Sequence, residues 1–430
     1  MNTYNLTRRN FVKTAALGSA AVASFNILGA QTNNGLNTSK LKVGVIGCGG
    51  RSGGDVWQVR KACEILGIEP EFVAIADPFA DRVKAFAEKH QIDPAVGHVG
   101  FDAYHKVAES DAELVLMATP PNFRPLHMEA CLNADKHLFV QKPVAVDPVG
   151  ARKVMELGEL ADHKGLSIGV GTQRRSDKKY REQKAKIDQG AIGEIVGGSI
   201  YWNGQVPWIS PRQPGQSDAD YITRNWLNFV ELSGDHIAEQ HVHQFDIARW
   251  YLGRNPISFM GMGGRARRET GNQFDFFAVD CDYGDGIHVQ SQCRQISGCY
   301  NRVGETFRGV DGYTNGMKVV GKEVSIDPIE QEFDDGNIQQ QVELIRAIRT
   351  DKPINGAQEI AEASLAAIGG RMSAYTGKFI RWVDLTENKK SPFYSMEMSP
   401  RPIDFERGEV VLPEEVPAIQ GEAKEIRIKT

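Results

Sequence analysis

Leu41-Lys42-Val43-Gly44-Val45-Ile46 is a short apolar run that passes directly into Gly47-Cys48-Gly49-Gly50-Arg51-Ser52-Gly53-Gly54. A helical stretch from about Asp55 to Leu66 follows. A strand that enters a glycine-rich turn and leaves it as a helix is the opening unit of a doubly wound sheet. It brings backbone N–H groups up to a phosphate at a helix N-terminus. Gly47 permits the tight turn, and Gly49 lets the backbone approach a pyrophosphate. The third position of the G-x-G-x-x-G pattern is Ser52, a small residue compatible with close helix–strand packing. Cys48 reads as a small filler inside the turn.

The next apolar run, Glu71-Phe72-Val73-Ala74-Ile75-Ala76, ends at Asp77. A carboxylate at the end of the second strand is placed to accept from a ribose 2′-OH and repels a 2′-phosphate, which favours NAD. Arg51 and Arg82 lie nearby in sequence and leave NADP open. Asp77 also precedes Pro78 and can cap a helix. Strands then alternate with helical stretches. Glu113–Ala118 is followed by Thr119-Pro120-Pro121 and a helix through Ala134. His137–Val140 is followed by a helix from Asp147 to about Lys164, and then by Leu166–Val170. That rhythm gives a parallel sheet with helices on both faces.

Beyond Gly193 the rhythm changes. Strands are expected at Gly193–Trp202, Ile257–Gly261, Phe276–Tyr283, Ile287–Cys293 and Met317–Val320, without intervening helices. This reads as a mostly antiparallel sheet. The fold class is therefore α/β: an N-terminal Rossmann doubly wound parallel sheet plus a C-terminal α+β domain with a large mostly antiparallel sheet. The boundaries read as a Rossmann domain over 41–165, a substrate and oligomerisation domain over 166–385 and an extended C-terminal tail over 386–430. A helix is expected from about Gln358 to Tyr375.

The first thirty residues contain no acid. Thr7-Arg8-Arg9-Asn10-Phe11-Val12-Lys13 is a twin-arginine pattern, followed by a weakly apolar stretch to Gly29-Ala30. Residues 1–30 are expected to be a twin-arginine signal peptide, with 31–40 as a linker and a periplasmic destination. No other segment is apolar enough for stable membrane insertion. A net charge of −5 argues against nucleic acid as the main partner. Six Cys in 430 residues are too few for a disulfide scaffold.

The strand–GCGG turn, Thr119-Pro120-Pro121, and Gln141-Lys142-Pro143 after a short strand resemble the Gfo/Idh/MocA oxidoreductases in order and spacing, from about Lys40 to Leu385. The resemblance implies an NAD held by Gly47, Gly49, Gly50, Arg51, Ser52, Asp77, Thr119, Pro120, Asn122, Gln141 and Lys142, and export by a route that passes folded proteins implies that it is tightly bound. It places Lys142 beside the nicotinamide and the substrate hydroxyl. The family's Glu-Lys-Pro is Gln141-Lys142-Pro143 here, so one carboxylate is missing. The resemblance also implies a homo-oligomer through the C-terminal sheet and a sugar or glycoside as the small-molecule partner.

In the second half, Ser233–Trp250 has the apolar spacing of a helix beginning near Asp235, with His236, Glu239 and His243 along one face. The family pattern here is Asp-x-x-x-His-x-x-Asp, and His243-Gln244-Phe245-Asp246 matches its end, with Glu239 at the first position. The functional reading makes His243 the acid–base partner of Lys142, oriented by Glu239, with Asp246 behind it. Arg174, Trp202 and His236 are further substrate candidates. Tyr201, Trp208 and Trp226 offer either an aromatic platform or core packing. The same His236, Glu239 and His243 face suits a metal, but the redox chemistry needs none and the spacing is not H-E-x-x-H, so no metal is assigned. The expected activity is hydride transfer between NAD and a sugar or glycoside hydroxyl, with C3 of a glucoside preferred by analogy. Two alternatives stand beside it: an NAD-dependent redox glycosidase, and a non-catalytic sugar-binding protein.

Overall fold

The computed structural model describes residues 40–413. The expected signal peptide, nearly all of the linker and residues 414–430 lie outside the described residues. Six strands form the first sheet: β1 (Leu41–Ile46), β2 (Pro70–Asp77), β3 (Gly97–Val99), β4 (Leu114–Met117), β5 (His137–Val140) and β6 (Ile168–Val170). Their order is β3-β2-β1-β4-β5-β6 and every pairing is parallel. All four residues of β4 are fully buried, because helices cover both faces of a central parallel strand. The reversal of strand order between β1 and β4 opens a crevice at their carboxyl ends, where ligands of such sheets bind. β6 belongs to this sheet, so the first domain runs past the expected boundary at 165.

The second sheet contains β7 (Ile195–Gly204), β8 (Ser258–Gly264), β9 (Phe276–Asp282), β10 (His288–Gln295), β11 (Arg302–Gly309), β12 (Tyr313–Asn315), β13 (Lys318–Val320) and β14 (Ile380–Arg381). Its order is β13-β12-β11-β7-β10-β9-β8-β14. Only β7 and β10 run parallel. β11, β12 and β14 were not expected from sequence. One face is covered by the helix Ala357–Thr376, which is buried almost all round and packs between this sheet and the helix Pro148–Lys164. A Cβ at Gly261 would lie 2.9 Å from both the Gly370 carbonyl oxygen and the Ala374 nitrogen, so the helix can approach β8 this closely only at a glycine. The tail departs from the expected extended surface segment. Phe405, in the short helix Pro402–Glu406, is buried against Phe101 and Phe123 of the first domain. No helix among the described residues is long and apolar enough to cross a membrane.

Candidate functional site

The glycine turn sits at the crevice. Gly47 has φ of +93°, and a Cβ there would lie 3.2 Å from the Ala118 carbonyl oxygen and the Thr119 nitrogen. The turn therefore requires glycine on two counts. The helix begins at Gly50, immediately after the turn and five residues before the sequence expectation. A Cβ at Gly49 or Gly50 would meet nothing within 4 Å, so backbone at the helix N-terminus faces open space. Ser52 is fully buried and its hydroxyl donates to the Gly47 carbonyl. It braces the turn from behind and does not face the crevice.

Asp77 accepts from the Cys48 N–H at 2.9 Å and the Phe79 N–H at 3.0 Å, one on each carboxylate oxygen. Burial raises its pKa while those two bonds oppose the rise. Each oxygen retains a lone pair for a ligand hydroxyl. Asp77, Pro78 and Arg82 line a cleft together with Thr119, Pro120 and His127. Arg51 turns away from Asp77 and donates to Asp55 at 2.7 Å and Gln58 at 3.2 Å.

Lys142 follows β5. Its Nζ donates to Glu239 Oε1 at 2.9 Å and to the Glu239 carbonyl at 2.5 Å. Glu239 thus orients Lys142, not His243 as expected from sequence. Burial lowers the Lys142 pKa, and the Glu239 carboxylate opposes that shift. The Gln141 amide donates to Asp55 Oδ1 at 2.8 Å, so a carboxylate stands beside this segment after all, supplied by another helix. Burial raises Asp55 to about 6. The guanidinium of Arg124, buried beneath, donates to the carbonyls of Gln141 at 2.8 Å, Thr119 at 2.6 Å and Pro143. One cation thereby ties the Thr119-Pro120-Pro121 turn to the lysine segment. Neither Asp55 nor Arg124 was selected from sequence; the Arg51/Asp55 i,i+4 spacing was the only local signal.

The expected helix from Asp235 is broken. It forms a single turn, His236–Glu239, and then restarts as Val242–Leu252. Asp235 has φ of +68°, a conformation few non-glycine residues adopt. Its carboxylate accepts from the Tyr375 hydroxyl at 2.6 Å and from the His236 N–H at 2.6 Å. The break separates His236 and Glu239 from His243. His236 is 1% exposed and packs against Phe277, with its Nδ1 2.8 Å from Asp235 Oδ1. It is not placed to touch substrate. His241 is also buried, at 2.9 Å from Ser291 Oγ.

His243 stacks on Trp202, with ring centroids 5.7 Å apart and 20° between planes. Burial first, then the charges of Lys142, Arg174 and Arg51, push its pKa well below the ordinary value, so the ring is neutral at pH 7. A neutral imidazole can accept a proton, and this one lies close enough to Lys142 to feel its charge. Arg174 lies near Trp202 and 3.7 Å from Glu305. Asp246 does not back His243; it holds Arg175 by bonds of 2.7 to 2.9 Å. Tyr201 lies under Arg302, and Trp208 is half exposed. Trp226 lines the cleft beside Asp77, so it does not join Trp202 in one platform. Among the described residues, no group of three or more His, Cys, Asp or Glu is arranged to hold a metal.

A dinucleotide fits these residues. The turn backbone is open, and both Asn122 amide atoms, His127 Nε2 and Thr223 Oγ1 are buried without a protein partner. Buried polar atoms of that kind need a ligand or water to satisfy them. The fold and site define a Rossmann NAD-binding domain joined to a second domain with a mostly antiparallel sheet. Residues 41–172 match the description "Oxidoreductase family, NAD-binding Rossmann fold", and residues 180–326 match "GFO/IDH/MocA C-terminal domain". Together these matches span more than half of the sequence, and the chain belongs to the Gfo/Idh/MocA oxidoreductase family. It is 28% identical over 190 residues to inositol 2-dehydrogenase of Rhizobium meliloti, covering 44% of this chain and 50% of that one. It is 24% identical over 251 residues to myo-inositol 2-dehydrogenase of Thermotoga maritima, covering 58% and 64%. The chain thus spans between half and about two-thirds of these relatives' length. Among solved structures, apo scyllo-inositol dehydrogenase from Lactobacillus casei matches with a TM-score of 0.61 at 17% identity, covering 80% of this chain and 98% of that one. Levoglucosan dehydrogenase with NADH and levoglucosan matches with a TM-score of 0.62 at 14% identity, covering 80% and 99%.

Proposed function

We propose that the protein is an exported, NAD-dependent oxidoreductase that oxidises a secondary hydroxyl of a ring polyol, sugar or glycoside. The observation that carries this reading is the Lys142–Glu239 pair near a buried, neutral His243, on a segment that Arg124 ties to Thr119 in the lining of the cleft. Gly49 and Gly50 would hold the pyrophosphate with backbone N–H groups, and Asp77 would accept from the adenosine ribose. Bound NAD supplies the hydride acceptor. His243 takes the hydroxyl proton, and the Lys142 ammonium stabilises the developing alkoxide. Asp77 favours NAD, although Arg82 lines the same cleft. The names of the inositol and levoglucosan dehydrogenases support a ring polyol or sugar as substrate. C3 of a glucoside is the preferred carbon.

The twin-arginine pattern supports export of a folded protein with its NAD tightly bound. Outside the cytoplasm that NAD is recycled in place, either by reducing a second carbonyl substrate or by re-reducing the first. The sheet face opposite the helix Ala357–Thr376, with Met260 and Met262 exposed, supports self-association. The test is to incubate as-purified protein, without added cofactor, with inositols and methyl glycosides and to weigh the products. A product lighter by two hydrogens with methyl retained supports the proposal. Free sugar plus methanol replaces it with the redox glycosidase.

A further inference from the structure

A small hydrophobic core beside the cleft joins three distant parts of the chain. Phe123 comes from the first domain, Ile222 and Phe229 from the segment after β7, and Phe405 from the tail. The helix Asp218–Arg224 belongs to the second domain, yet it lies across the first. Arg224 donates to both Asp81 carboxylate oxygens, at 2.8 and 3.1 Å, and its guanidinium sits 3.9 Å from the Phe79 ring centroid. The tail supports that helix. The Leu412 N–H donates to Asp218 at 2.9 Å, and Tyr104 donates to Glu406 at 3.0 Å.

This placement brings Thr223 and Trp226 into the lining of the same cleft as Asp77, Pro78 and Arg82. The end of β2 is where the adenosine ribose lies in a sheet of this order. Thr223 is 3% exposed and its Oγ1 has no protein partner, a cost that a ligand in the cleft would remove. Trp226 offers a flat apolar surface suited to a purine. We propose that Thr223 and Trp226 are the second domain's contacts to the adenosine half of the dinucleotide, held in place by the Arg224–Asp81 pair and the docked tail. The proposal rests on the NAD reading above. Its consequence is slow release, because the cofactor cannot leave past Trp226 without separating elements of both domains.

The test uses the full chain, with NAD, ADP-ribose and nicotinamide mononucleotide as probes. Trp226→Ala should release NAD about tenfold faster, with ADP-ribose affinity falling by a similar factor. Thr223→Val, which preserves volume, should act in the same direction more weakly. Affinity for nicotinamide mononucleotide should not change in either variant. Wild-type release rates in both variants would overturn the proposal, as would equal losses for all three probes, the mark of general disruption. A wild-type protein that binds neither NAD nor ADP-ribose would instead overturn the cofactor reading, and the proposal with it.

Discussion

Replacing Glu239 by Gln keeps the size of the side chain and removes the carboxylate that, among the described residues, holds Lys142. The bond is 2.9 Å long and mostly buried, with the two side chains 16% and 12% exposed. A hydrogen bond to a charged group of this kind contributes about 1.5–3 kcal/mol. If Lys142 must be protonated and aimed at the substrate oxygen, kcat/KM should fall by about tenfold to a hundredfold. The pH profile supplies the sharper test. Lys142 acts only while charged, so activity is lost as pH rises through its pKa. Burial already lowers that pKa and Glu239 opposes the shift, so removing the carboxylate should move the alkaline limb lower still. Dinucleotide affinity should be unchanged. The assay is kcat/KM against pH on the best substrate from the glycoside and inositol panel. An unchanged alkaline limb with near wild-type kcat/KM would refute the role given to the pair.

Oxidation should fall at acid pH only well below the ordinary histidine range, because burial keeps His243 neutral; His243→Asn should remove that limb and reduce kcat/KM by about 10²–10⁴-fold, read from pH-rate profiles. Asp55 is raised to about 6, so the folded chain binds its proton more tightly than the unfolded chain does. The resulting stability is full below about pH 4 and lost by about pH 6, amounting to roughly 3 kcal/mol. Asp55→Asn should flatten denaturant-derived stability across that window, and an unaltered slope would count against it. Arg124→Met should lower stability by about 3 kcal/mol or more, because three carbonyls lose their donor. Thermal melts measure this, and a melting temperature equal to wild type would contradict it.

What could be read from sequence was local. The β1 strand, the glycine turn and Asp77 are within forty residues of one another, and their chemistry is carried by residue type. The alternation of strands and helices gave the parallel sheet for the same reason. The break after Glu239 was not readable, because apolar spacing continues through it. Asp235, whose positive φ opens the short turn before the break, is held by Tyr375 140 positions away. Glu239 was therefore matched to His243 by helical spacing, although the broken helix turns it to Lys142. The Gln141–Asp55 bond spans 86 positions and leaves no periodic trace. The tail looked like surface because its apolar residues are sparse, yet Phe405 finds Phe101 and Phe123 in the other domain.

The central claim is direct hydride transfer from a ring carbinol to a bound nicotinamide. Substrate carrying deuterium on the carbinol carbon, incubated with the as-purified protein and no added cofactor, tests it. Extraction and mass measurement of the dinucleotide should find that deuterium in the reduced nicotinamide. Substrate conversion with the deuterium retained in the sugar or lost to water, and none in the dinucleotide, would contradict the account.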